Sequence, residues 1–116
     1  MDIEQLRDYC LSLPHSSEGM PFGDGCIVYK VVDRVFAIMA PDGGEPRLSL
    51  KCDPDRAEDL RAAYPAIIPG YHLNKKHWNT VLLESLPEAL IKEMIQHSYD
   101  QVLAKVPKKE REVLIS

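Results

Sequence analysis

No apolar run in this chain approaches the ~20 residues that cross a bilayer, and the first ten residues, MDIEQLRDYC, carry acids where a secretory signal carries bases ahead of an apolar core. These absences predict a cytoplasmic protein with no membrane partner. Cysteine is scarce: Cys10, Cys26 and Cys52 leave an odd one over and show no CxxC spacing, which argues against a disulfide framework and for reduced thiols in the core. Basic residues are also short, 14 Lys and Arg against 18 Asp and Glu, giving a formal net charge of −4. A general polyanion binder is usually basic, so bulk charge argues mildly against nucleic acid. Repeats, low-complexity segments and linkers are missing too. With 116 residues, 45% of them hydrophobic, the chain has the size of one domain with its own core.

What is present is concentrated in residues 64–83, YPAIIPGYHLNKKHWNTVLL, which hold two of the four histidines and the single tryptophan. Acids outnumber bases before this stretch and again over 84–104, whereas the stretch itself carries Lys75 and Lys76 and no acid. A second basic cluster, Lys105, Lys108, Lys109 and Arg111, lies near the C-terminus. Pro65 pushes Tyr64 out of the helical region and closes a preceding helix. Ile68-Pro69-Gly70-Tyr71 has proline second and glycine third, as in a type II turn with positive φ at Gly70. The chain then runs through His72, Asn74, Lys75, Lys76, His77 and Trp78, donors and aromatics interleaved, and such a run can meet an anion.

Around this loop the periodicity predicts helix, three strands, helix, strand, helix: an α+β fold with helices packed on an antiparallel sheet. Residues 3–13 form an amphipathic helix with Asp2 as N-cap and Gln5 three residues on, stopped by Pro14. Residues 14–25 read as a connecting loop from which Met20 and Phe22 fold back onto the core. Cys26–Val32 and Val35–Ala40 form a hairpin, apolar on both faces, which suggests a second face partly covered by helix or partner. Arg47–Cys52 alternates, with Leu48, Leu50 and Cys52 inward and Arg47, Ser49 and Lys51 outward. Asp53-Pro54 opens the second helix, Asn79–Leu83 is strand-like, and Ser85 with Glu88 forms a capping box for the longest helix, ended by Pro107. About the last ten residues read as a tail, with lysines placed to complement the helix dipole.

No complete catalytic constellation appears. There is no nucleophile-elbow or thiol-protease signature, the histidine and cysteine spacings match no zinc pattern, and the glycine pairs precede strands rather than helices. The chain is therefore expected to be no enzyme and to need no cofactor or metal. His97 reads as a hydrogen-bonded helix residue. Trp78 either fills the core, the usual place of a lone tryptophan in a small domain, or stacks on a base.

YPAIIPGYHLNKKHWNTV, with LSLKCDP before it, HSYDQVLAKVPKK after it and MPFG upstream, resembles the MmcQ/YjbR-like family of small bacterial proteins, and the match runs along essentially the whole chain. The resemblance implies a fold similar to that of the frataxin homologue CyaY, a cytoplasmic location and a DNA-binding role. It transfers Pro69, Gly70, Tyr71, His72, Asn74, Lys75, His77 and Trp78 as motif positions, and Pro21, Phe22 and Gly23 as a second signature. Two departures are Val32-Asp33, where family members often have a glycine pair, and Met20 in place of an aromatic. A frataxin-like iron role would rest on fold analogy alone, and Asp2, Glu4 and Asp8 are too few to promote it. Two expectations follow. One is a DNA-binding module contacting nucleic acid through His72, Asn74, Lys75, Lys76, His77 and Trp78, the loop being shaped by Pro69, Gly70 and Tyr71. The other is a protein-interaction or small-ligand module in which the same loop is a hydrogen-bonded structural element. A monomer or weak oligomer is expected in either case.

Overall fold

The computed structural model describes residues 1–21, 25–41, 44–70 and 73–115, the last four of these as backbone only. Its elements in chain order are α1 (Ile3–Ser12), β1 (Ser16–Gly19), β2 (Ile27–Val31), β3 (Arg34–Ala40), β4 (Arg47–Lys51), α2 (Pro54–Ala63), β5 (Ile67–Pro69), β6 (Trp78–Leu82), α3 (Glu88–Leu103) and α4 (Lys108–Ile115). The six strands form one antiparallel sheet in the order β1-β2-β3-β4-β6-β5. This is an α+β fold. No helix among the described residues is long and apolar enough to cross a membrane.

Local chemistry accounts for the predicted elements. Asp2 accepts from the Gln5 N–H while Gln5 reaches back to the Asp2 N–H, so α1 opens on a complete capping box. Asp53 caps α2 by accepting from the Arg56 N–H, with Pro54 at the first helical position, where an N–H is not needed.

Four expectations need correction. The segment 14–25 is not all loop: Ser16–Gly19 forms edge strand β1 against β2. Three of its four residues are exposed, so it has no apolar alternation to read. Nor does Met20 fold back; it is 62% exposed, while Phe22 lies outside the described residues. Ser85 does not cap α3: its hydroxyl donates to Glu45 at 2.6 Å, and the N-cap is Pro87, without a side-chain hydrogen bond. Finally, α3 ends at Leu103, before Pro107, and the tail continues as α4, in whose first turn the Glu110 and Arg111 N–H groups donate to the Pro107 carbonyl. Lys108 and Lys109 thus open a helix rather than close one.

The β2–β3 turn consists of Val32 and Asp33, with φ of 50° and 60°. Two left-handed residues match the twist of a tight hairpin, but a β-branched residue pays a steric penalty there. Val32 packs against the core, which offsets it.

The strand register sorts the sheet into two unlike faces. Tyr29, Val31, Ala37, Met39, Leu48, Leu50, Val81 and Ile67 point one way and join Leu6 and Cys10 of α1 with Ile91, Met94, Ile95, Tyr99 and Val102 of α3 in a single buried cluster. The partner-facing pattern of β3 is shifted by a bulge between Tyr29 and Lys30, which makes Phe36 the extra residue. Its ring turns inward and meets Tyr99 edge-on, with centroids 5.4 Å apart. The opposite face carries Val28, Lys30, Val35, Ile38, Arg47, Ser49, Lys51, Ile68, Trp78, Thr80 and Leu82. None of its apolar members belongs to the core cluster or packs against it.

Beside the bulge, β3 and β4 are held by a helix side chain. The Ser98 hydroxyl, fully buried on α3, donates to the Phe36 carbonyl at 2.5 Å and accepts from the Lys51 N–H at 2.9 Å. Removing it leaves a buried acceptor and donor without this bridge, each costing ~1–3 kcal/mol if nothing replaces it. We therefore expect Ser98→Ala to destabilise the fold by at least ~1 kcal/mol, read as a lower denaturant midpoint at unchanged slope.

Candidate binding surface

The conspicuous loop of the sequence joins two hydrogen-bonded strands. Ile67–Pro69 pairs with Asn79–Val81, and the ladder is extended by the Gly70 N–H donating to the Trp78 carbonyl at 2.9 Å. Pro69 is therefore the end of an edge strand, a place that tolerates its missing donor, and not the corner of a type II turn. Gly70 has no left-handed φ. It is needed for a different reason: a Cβ there would stand 2.7 Å from the Trp78 Cβ and 2.9 Å from the Trp78 carbonyl oxygen. Both signatures of tight backbone, positive φ and close approach, call for glycine, and sequence cannot tell them apart.

Past Gly70 the loop folds on itself. The Asn74 carbonyl accepts from the His77 and Trp78 N–H groups at 3.2 and 3.0 Å, and its side-chain oxygen accepts from the Lys76 N–H at 2.9 Å, which is an Asx turn. The Lys75 ammonium reaches back to the Gly70 carbonyl at 3.3 Å, and its own carbonyl accepts from Arg61 of α2 at 2.9 Å. The His77 carbonyl receives the Cys52 N–H at 2.8 Å. The Asn74 and Lys75 side chains and the His77 backbone thus help to build the loop, and Asn74, Lys75 and Lys76 are all exposed. Tyr71 and His72, like Phe22 and Gly23 of the second signature, lie outside the described residues. Pro21 is exposed.

Trp78 heads β6 on the open face. It is only half-buried and lies outside the core cluster, so the expectation of a core tryptophan is corrected. The core is already filled from the helices, and the register leaves position 78 on the other side. Directly across is Lys51. The Lys51 ammonium has its pKa lowered by burial first and then by Lys105, which lies within hydrogen-bonding reach, and by Arg34. Lys30 stands at the same end of the sheet, next to the Val31–Arg34 pair. Sequence reasoning missed this gathering because its members come from β2, β3, β4 and the segment after α3. Only the outward alternation of Lys51 hinted at it.

The loop lysines face mixed company. Lys75 and Lys76 line an open groove of about 580 Å³ with Arg61, Pro54 and Pro69, but also with Asp55 and Glu58. The carboxylates partly neutralise this side. Beneath α2 a cavity of about 10 Å³, lined by Cys52, Leu60, Asn79, Met94 and His97 among others, is too small for a ligand. Cys52 and Cys10 are buried, burial pushing both thiols up, that of Cys10 to about 12, so neither is an activated nucleophile. Cys10, Cys26 and Cys52 form no disulfide.

His97 is the hydrogen-bonded helix residue its position suggests. Nε2 accepts from the Asp53 N–H at 3.2 Å, and Arg56 Nη1 stands 3.5 Å from Nδ1. Arg56 is held by Glu93 at 2.6 Å. Burial first, then the Arg56 charge, lowers the His97 pKa.

Fold and surface define a class: a small α+β protein in which α1, α2 and α3 pack on one side of an antiparallel sheet, while the other side carries Lys30, Arg47, Lys51 and a partly exposed Trp78. The chain belongs to the YjbR family, whose model matches residues 11–101. It is 34% identical over 116 residues to the Escherichia coli K12 protein YjbR, covering 99% of this chain and 98% of that one. Similarity to YbdF of Escherichia coli O157:H7 is 34% over 109 residues, or 93% and 89% of the two chains. Among solved structures, Deinococcus radiodurans DR2400 superposes with a TM-score of 0.90 at 45% identity, covering 97% of this chain and 86% of that one. A Pseudomonas syringae protein gives 0.76 at 28%, covering 88% and 99%.

Two outcomes follow. Gly70→Ala should destabilise by ~1–3 kcal/mol through overpacking against Trp78, whereas Gly19→Ala, with nothing within 4 Å of the new Cβ, should stay within about 0.5 kcal/mol in the same chemical melt. For His97, a pKa lowered in the folded state means that the unfolded chain takes up the proton first as pH falls. Its stabilising contribution is therefore complete above the ordinary value of 6.5 and declines below it. Between pH 7 and pH 5 the wild type should lose more melting temperature than His97→Gln, whose carbonyl can still accept from Asp53 but does not titrate.

Proposed function

We propose that this chain is a non-enzymatic nucleic-acid-binding module that meets DNA with the open face of its sheet and the adjoining loop. The observation that carries this reading is the placement of Lys51. It stands opposite Trp78 on the open face, with Lys105 and Arg34 among the charges that lower its pKa and Arg34 itself paired with Glu110 of α4 at 4.0 Å, so the C-terminal segment and the tryptophan end of the loop meet at one end of the sheet. Cations crowded together repel one another, and a phosphate between them relieves that repulsion while releasing its own counterions. An aromatic beside such a cluster supplies contact to a base or sugar. Lys76, exposed at the loop's outer edge, extends the track. Asn74, Lys75 and His77 act as loop builders, which retains the structural part of the alternative reading within a binding module.

The charge distribution favours this face over the helical one. The strand residues of the open face include Lys30, Arg47 and Lys51 and no carboxylate, whereas α1, α2 and α3 carry eight carboxylates, Glu4, Asp8, Asp55, Glu58, Asp59, Glu88, Glu93 and Asp100, against four bases, Arg7, Arg56, Arg61 and Lys92.

Fluorescence anisotropy with labelled DNA across a salt series tests the reading. Each phosphate neutralised contributes roughly −0.9 to the slope of log K against log salt, so a Lys51→Ala, Lys76→Ala double variant should lose about two units of slope if both lysines contact phosphate. Absence of saturable binding to single-stranded and duplex DNA at about 50 mM salt, where electrostatic binding is strong, would discard nucleic acid in favour of an acidic protein partner.

A further inference from the structure

The open face is built unlike a surface for double-stranded DNA. Resting on the reading above that the face binds nucleic acid, we infer that its partner is single-stranded DNA, one of whose bases stacks on Trp78. The middle of the face is one cross-strand row of Val28, Ile38, Ser49, Thr80 and Ile68, in which Val28, Ser49 and Thr80 are buried and Ile38 and Ile68 keep part of their apolar surface exposed. Those two hydroxyls are bonded to each other at 2.8 Å and buried. Cations stand only at the ends of the strands, Lys30 and Lys51 at one and Arg47 at the other.

A duplex turns its phosphates outward and keeps the faces of its bases stacked inside, so its exterior would press charged, hydrated groups onto this middle row. Burying such groups without hydrogen-bond partners is unfavourable. A broad sheet face also offers no narrow element to enter the major groove, which admits one helix or a two-stranded ribbon. A single strand presents the opposite complement. Its exposed base faces can lie on the indole and on the partly exposed Ile38 and Ile68, and its phosphates can splay toward the cations at the ends, as in single-strand binders that combine an aromatic platform with a basic border. DNA is favoured over RNA because the Ser49 and Thr80 hydroxyls are bonded to each other, so a 2′-OH set down on the middle of the face would lose water without gaining a partner there.

Trp78 is the single tryptophan, so fluorescence excited at the red edge of indole absorption, where the five tyrosines do not absorb, reports on this position alone. Titration of the full chain with oligothymidylate of about ten nucleotides, within the usual range for one such site, should quench that fluorescence. The affinity at about 50 mM salt should be at least about tenfold above that for a duplex of equal length. Stacking on one base corresponds to roughly a fivefold to hundredfold loss for Trp78→Ala, with most of it recovered by Trp78→Phe. Circular dichroism melts of both variants establish that they are folded, and the wild-type quench stands without them.

Equal affinity for the duplex, or binding of the oligonucleotide without any change in Trp78 fluorescence, would overturn the single-strand inference and leave nucleic-acid binding standing. Equal affinity for oligouridylate would overturn the choice of DNA. Binding of neither single strand nor duplex would remove the underlying reading as well.

Discussion

Three helices on one side of a six-stranded sheet impose the constraint from which the other features follow. Most large core side chains gather on the helical side, where the cluster runs from Leu6 to Val102, while Val28 and Thr80 are buried on the far side. The far side has to be stable without a second layer. It manages this with β-branched residues, whose stiff side chains suit a pleated surface, and with the bonded Ser49 and Thr80 hydroxyls at its centre. Lys30, Arg47 and Lys51 keep the strand ends soluble, and charged residues of this kind also discourage edge-to-edge aggregation. On this face Lys30, Ile38, Arg47, Lys51, Ile68 and Trp78 keep part of their surface exposed.

The same constraint explains the loop. Since α2 packs near β5 and β6, the hairpin between these strands is anchored by Arg61 on one side and by the Cys52 N–H on the other. Gly70 lets the two backbones close at the base of the loop, and Trp78 is thereby pinned at the backbone while its ring is left out of the core. An aromatic held rigidly on a half-exposed site loses little conformational entropy on binding, and this preorganisation raises affinity without adding contacts.

The sequence was most legible where periodicity and capping agree. The helix capped by Asp2, the helix opened by Asp53-Pro54 and the alternation of Leu48 and Leu50 needed nothing beyond local chemistry. Where tertiary partners decided, the reading failed. Edge strands β1 and β5 carry little apolar alternation, the first because it is mostly exposed and the second because it is three residues long. Ser85 had the right spacing for a cap, but Glu45, 40 residues earlier in the chain, took its hydroxyl. The Ile68-Pro69-Gly70 triplet looked like a turn because proline and glycine serve several backbone geometries. Of the proposed contact positions, Asn74, Lys75 and Lys76 are exposed, the first two also bonding within the loop through their side chains, His77 and Trp78 are half-buried, and His72 lies outside the described residues. Lys51 and Lys105, 54 positions apart, could be brought together only by the fold.

How an acidic protein could hold an anionic polymer is a question of where the acids lie. The screening length at physiological salt is ~8 Å, and the molecule measures 41 × 32 × 25 Å. Even the shortest dimension spans about three screening lengths, so carboxylates on the outer surfaces of the helices act only weakly across the sheet. At close range the balance reverses: the strand residues of the open face present cations alone. The net charge of −4 therefore governs how the whole molecule behaves toward distant ions, while the sign of the local surface governs what can settle on it. Charge sidedness of this kind also orients an approaching polyanion, since the helical side repels it and the sheet side does not.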